Sequence, residues 1–135
     1  MTLKRAVEQP TIRGTAAHFT GVAWQQPIAV AETSQPLHVT RVIFEPGART
    51  VWHSHPDGQI LVATSGIGRF QVKGGPVRDL LPGDGVSIAP GEVHWHGAAP
   101  DQLFVHTSVQ AADKYGQQAT WLEPVTDQEY AERPG

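Results

Sequence analysis

Residues 52–59 read WHSHPDGQ, with His53 and His55 one residue apart and Gln59 four positions after the second. In an extended strand, residues two apart point to the same side. Both imidazoles therefore face one way. The same spacing recurs in "EVHWHG", where His94 and His96 share a face, and His106 follows in "QLFVHTSVQ". His106 shares its side with Phe104, Ser108 and Gln110, while Thr40, Val42 and Phe44 form a comparable set in "LHVTRVIFE". If these faces line one interior, that interior is polar at one end.

Around these runs lie other short β-type stretches, "ARTVWHSH", "QILVATS", "IGRFQVK" and "VSIA", separated by "EPGA", "SGIG", "KGGP", "LPGDG" and "APGE". Pro-Gly sets proline where φ is about −65° and glycine where φ is positive, as a type II turn requires. The chain has fourteen glycines and eleven prolines. Both exceed average usage of about 7% and about 5% and are evenly spread, which fits many tight turns. The pattern predicts an all-β sandwich or small barrel. The tail differs. In "PVTDQEYAERPG", Thr126 followed by Glu129 forms a capping box and Pro-Gly a stop, so a short helix is expected within 124–135. Residues 1–15 read as an arm or a loose strand. One domain over 1–135 is expected.

Composition excludes several classes of function. Without cysteine there is no disulfide, thiolate metal site or cysteine nucleophile. The net charge of −3 comes without a basic stripe, so nucleic acid is not an expected partner. No apolar run approaches a membrane span, and none follows the basic residues of "MTLKRAVEQP" as a signal peptide would require. A cytoplasmic protein with a small-molecule substrate is expected.

Of the seven histidines, His18 and His38 read as ordinary half-buried residues with hydrogen-bonded partners. The same bland reading is weaker for the others. Several imidazoles aimed into one interior are costly to bury unpaired, and a metal ion removes that cost. Neutral imidazoles with a carboxamide oxygen suit a borderline divalent ion, without saying which.

The stretch "GARTVWHSHPDGQILVATSG" resembles the first cupin motif, with Gly47, His53, His55, Gln59 and Gly66 in register. "GDGVSIAPGEVHWH" resembles the second, through Gly83, Gly91 and His94. The resemblance implies a double-stranded β-helix (jelly-roll) barrel with one divalent metal per chain, held by His53, His55, Gln59 and His94. Gln59 replaces the family's usual glutamate, Ala98 its frequent asparagine and Ala89 a common proline. Three imidazoles and a carboxylate leave a divalent site at about +1, whereas a carboxamide leaves about +2, a stronger electrophile. "VIFEPGART", "HWHGAAP", "VHTSVQ" and "WLEPVTDQEY" are similar to small bacterial cupins that include the manganese-dependent hydroxynitrile lyases. That likeness implies cleavage of cyanohydrins such as mandelonitrile to aldehyde and HCN, and the reverse addition. It implies Mn(II), with Fe(II), Ni(II) or Zn(II) as alternatives. His106, oriented by Gln110, would handle cyanide or its proton, and His96 is the second candidate base. Thr40, Val42, Phe44, Thr50 and Leu61 would form the substrate pocket. By analogy of fold, a homodimer or homotetramer is expected. Two other functions fit the same motifs: a dioxygenase acting on a catechol-like or diketone substrate, and a binding module without turnover.

Overall fold

The computed structural model describes residues 1–112 and 116–135. After a turn of 3-10 helix at Ala6–Glu8 the chain runs through β1 (Ile12–Arg13), β2 (Phe19–Thr20), β3 (Ala23–Ala31), β4 (Leu37–Phe44), β5 (Arg49–Thr50) and β6 (His53–Ser54). It continues through β7 (Gln59–Gly66), β8 (Gly68–Val72), β9 (Arg78–Leu80), β10 (Gly85–Ile88), β11 (His94–Ala98), β12 (Phe104–Ala111) and β13 (Thr120–Trp121), and ends in α1 (Asp127–Tyr130). One sheet has the order β1-β3-β4-β12-β7-β10. The other runs β13-β6-β11-β5-β2, with β8 on β11 and β9 on β8. All pairings are antiparallel. The two sheets form the expected all-β jelly roll with one short C-terminal helix. Among the described residues no helix is long and apolar enough to cross a membrane.

The expected turns form: Gly47, Gly83 and Gly91, each after proline, have φ of 82°, 94° and 75°. The expected capping box is also present, with Thr126 accepting from the Glu129 amide and the Glu129 side chain accepting from the Thr126 amide. The helix itself spans only four residues. β3 is a nine-residue strand that the sequence reading leaves unassigned. Its run AWQQPIAVA contains Pro27, which cannot donate to a ladder, and the register with β4 slips between Pro27 and Ala29. The run "ARTVWHSH" is broken into β5 and β6 rather than one strand.

Alternation sets the core. On β7, Gln59, Leu61 and Ala63 are buried, while Ile60, Val62 and Thr64 are exposed. One apolar cluster, built on Phe19, Val42, Phe44, Ala63 and Phe104, fills one end of the interior. Each fully buried large side chain of this kind contributes about 1.5–3 kcal/mol. β11 is buried along its whole length, on both faces. Its outward Trp95 packs with Trp52, Val77, Val125 and Tyr130 beneath the C-terminal tail. The five buried histidines, His53, His55, His94, His96 and His106, lie in the rest of the interior.

Candidate metal centre

Strand register brings the first imidazoles together. His53 of β6 lies directly opposite His94 of β11, and their ring centroids are 4.3 Å apart. His55, just beyond β6, is 5.0 Å from His53 and 5.4 Å from His94 by the same measure. All three are buried. The Nδ1 of His53 bonds the Val51 carbonyl at 2.8 Å, that of His55 the Gln118 carbonyl at 2.7 Å, and that of His94 the Glu92 carbonyl at 2.9 Å. A carbonyl only accepts, so each Nδ1 carries the hydrogen and each Nε2 presents a bare lone pair. Metal-binding histidines are oriented by this kind of contact. Burial lowers the pKa of all three. His53 is held well below the usual imidazole value, with nearby His94 adding to the effect, and His94 falls to about 4.

Gln59, the first residue of β7, completes this group. Its Oε1 stands 3.1 Å from His94 Nε2, and its side chain also reaches His55. With His94 Nδ1 committed to Glu92, the 3.1 Å contact sets two lone pairs against each other. A cation turns that repulsion into a shared donor set, so the residues fit a divalent ion. The rest of the Gln59 amide is engaged. Its Nε2 donates to Gln110 Oε1 at 3.0 Å, and Gln110 Nε2 donates to Gln118 Oε1 at 3.1 Å. Backbone geometry delivers Gln59 to this point. Gly58 has φ of 78°, and a Cβ there would lie 2.6 Å from the Ile88 carbonyl oxygen.

A second pair lies beside the first group. His96 Nδ1 and His106 Nε2 share a hydrogen bond of 2.9 Å. The other nitrogens, His96 Nε2 and His106 Nδ1, are buried without a protein partner. Burial holds His106 at about 3 and drives His96 well down, with His106 the next cause for His96. Thr50 Oγ1 accepts the His96 amide hydrogen at 3.2 Å. A register break between Val105 and His106 against β7 aims His106 inward. Ring nitrogens of His53, His94 and His96 all lie within 4.8 Å of one another. His96 is therefore also close to His53 and His94, while the cupin resemblance implies His55 and Gln59 as their fellow ligands.

A cavity of about 80 Å³ opens beside these groups. Thr40, Val42, Thr50, His53, His55, Gln59, His96, His106 and Gln110 line it. Two residues expected on its wall are not there. Phe44 belongs to the apolar cluster, with its ring 5.3 Å from His106. Leu61 is fully buried on β7 opposite Ser108. The apolar wall comes instead from Phe19, Val42 and Trp121. Gln110 does not orient His106. Four residues along a strand span about 13 Å, and Gln110 bonds Gln59 and Gln118. Phe19, Gln25, Ser108 and Trp121 also line the cavity. Of these, only Ser108 had a signal in the sequence, its shared strand face with His106. Trp121 is stacked between His53 at 4.8 Å and His18 at 3.9 Å, which gives half-buried His18 an aromatic neighbour.

Residues 40–107 match the cupin domain family. Over 130 residues, 96% of this chain and 98% of the relative, the sequence is 43% identical to an (R)-mandelonitrile lyase of Granulicella tundricola. The crystal structure of a cupin-like protein from Thermotoga maritima, 46% identical, superposes with a TM-score of 0.80 over 87% of this chain and 89% of that one. The polyketide cyclase RemF from Streptomyces resistomycificus shares the fold alone, with a TM-score of 0.74 at 13% identity over 96% of this chain and 90% of its own. The matched region runs from β4 to β12 and holds both histidine pairs and His106, and the relative aligns almost end to end: the chain belongs to the cupin family.

Proposed function

We propose that the protein is a metal-dependent hydroxynitrile lyase that cleaves cyanohydrins to an aldehyde and HCN. The observation that carries this reading is the juxtaposition of two different histidine groups. Three imidazoles have Nδ1 tied to backbone carbonyls and Nε2 bare, next to the Gln59 oxygen. Beside them is an imidazole pair bonded to each other, with one buried nitrogen free on each ring. The first arrangement suits holding an ion, the second moving a proton. The 43% identity to an (R)-mandelonitrile lyase supports the choice of reaction.

In this reading His53, His55, Gln59 and His94 hold the ion, Mn(II) by preference, with Fe(II), Ni(II) and Zn(II) sharing the donor set. His96 is left out of the shell because its Nδ1 is bonded to His106 and not to a carbonyl. When bound, the ion supplies Lewis acidity toward the hydroxyl end of the substrate. The His96–His106 pair takes the hydroxyl proton and returns a proton to the departing cyanide. The O–H and C–CN bonds break, the C–CN electron pair leaves with cyanide, and a carbonyl and HCN form. Burial lowers the His106 pKa, so the ring is neutral before the hydroxyl proton arrives and gives a proton up readily afterwards. The cavity, about 80 Å³, is smaller than the roughly 150 Å³ that accommodates benzene. An aromatic substituent would therefore extend to the rim at Trp121, which is exposed.

Mn(II)-loaded protein should release benzaldehyde and HCN from mandelonitrile in equal amounts, without oxygen and without consuming it. No turnover under those conditions, or aldehyde formation that tracks oxygen uptake, would reject the lyase reading. His55→Ala should lose bound metal while His96→Ala keeps it. The opposite result would move His96 into the shell.

A further inference from the structure

The side chains of Gln59, Gln110 and Gln118 form a line of three carboxamides in which each Nε2 donates to the next Oε1 outward. A carboxamide donates at one end and accepts at the other, so such a line can run in two directions. In the direction observed, Gln59 Oε1 faces the histidines and Gln118 Oε1 ends the line as an acceptor. In the reverse direction, Gln59 Nε2 would donate to the bare His94 Nε2. Gln110 would then donate to Gln59 Oε1, and Gln118 to Gln110. Every bond is again made, but an oxygen no longer faces the site. A cation needs the first direction and the ion-free site is served by the second. What decides between them from the protein's side is whether position 118 accepts or donates.

We propose that Gln118, acting through Gln110, is a positioning residue that sets which end of the Gln59 carboxamide is offered to a divalent cation. The inference rests on the reading of Gln59 as a ligand. Gln118 also holds His55 through its backbone carbonyl. Replacing its side chain leaves that contact available, so the amide line is tested apart from it.

The test measures Mn(II) dissociation constants by competition with a chelator, independent of turnover. Gln118→Glu can only accept, which selects the oxygen-inward direction, and should tighten Mn(II) by about 10-fold, the scale of contacts that orient metal ligands. In a Gln59→Glu background the logic inverts. A carboxylate at 59 can only accept, so Gln110 must turn to donate inward and needs a donor at 118. There Gln118→Glu should weaken Mn(II) by about as much. The added negative charge alone would tighten binding in both backgrounds. Equal tightening in both, or no change in either, overturns the proposal, and opposite signs support it. Gln110→Glu carries the same opposite-sign expectation and serves if a variant at 118 does not fold. Gln59→Leu checks the ligand reading separately: Mn(II) binding as tight as in the parent would overturn that reading, whatever the 118 variants do.

Discussion

His106 has two possible roles, and they separate under substitution. As a packed core residue, its truncation would cost a few kcal/mol of stability and leave the folded fraction active. As a proton-handling group, its loss should lower mandelonitrile turnover by about 10²–10⁴-fold with metal content retained. We expect the second outcome for His106→Ala, checked by metal analysis and steady-state rates on the same preparation. The buried imidazoles also set a pH dependence. His94 and His106 take up protons near 4 and 3 in the folded chain, against 6.5 as the ordinary value. Between pH 6.5 and these values the unfolded chain holds more protons, so stability falls as pH falls. Above pH 6.5 both states are neutral and these groups contribute no slope. The metal-free protein, melted with chelator present, should therefore show a flat melting temperature above about pH 7 and a decline from about 6.5 toward 4. A melting temperature that rises on acidification across that window would contradict the burial of these rings.

The start of β7 depends on the left-handed backbone at Gly58, which lets the chain pass under the Ile88 carbonyl before Gln59 turns inward. Gly58→Ala is expected to cost about 1–3 kcal/mol, read as a lower urea midpoint at unchanged slope, and to weaken metal binding. At this scale the sequence is most legible where chemistry repeats. Two-residue histidine spacing, Pro-Gly turns and the Thr126–Glu129 box each tie a residue type to a local geometry, and β4, β7, β8, β10, β11 and β12 follow from them. It is least legible where tertiary pairing overrides local preference. β3 carries a proline, and β13 is two residues long with no periodicity of its own. Gln118 and Trp121 reach the site only because β13 pairs with β6. Gln110 was visible as a polar residue facing inward. Its partners were not, because a side chain's face is a local property and its neighbours across a barrel are not.

For the molecule as a whole, the C-terminal tail is tied to the barrel by Arg49. This buried guanidinium donates to the Val125 carbonyl at 2.9 Å and lies 4.4 Å from the Tyr130 ring centre. Tyr130 donates its hydroxyl hydrogen to the Ala98 carbonyl. Arg49 also pairs with Asp127 at 2.8 Å, but the Asp127 side chain is 99% exposed, and such pairs contribute little. Arg49→Ala should cost about 2–3 kcal/mol through the lost ring and carbonyl contacts. Asp127→Asn should leave the melting temperature unchanged. Equal losses from the two would mean the ion pair carries the attachment.

The path of the tail also bears on when the site comes into being. A chain synthesised only as far as Gln110 already contains His53, His55, Gln59, His94, His96 and His106. It does not yet have the carbonyl that holds His55, the acceptor that ends the amide line, or the strand that sets Trp121 against His53, since all three come from residues 118–121. Under the proposed reading, the four-donor geometry would therefore be complete only once residues 118–121 have been added and β13 has paired with β6.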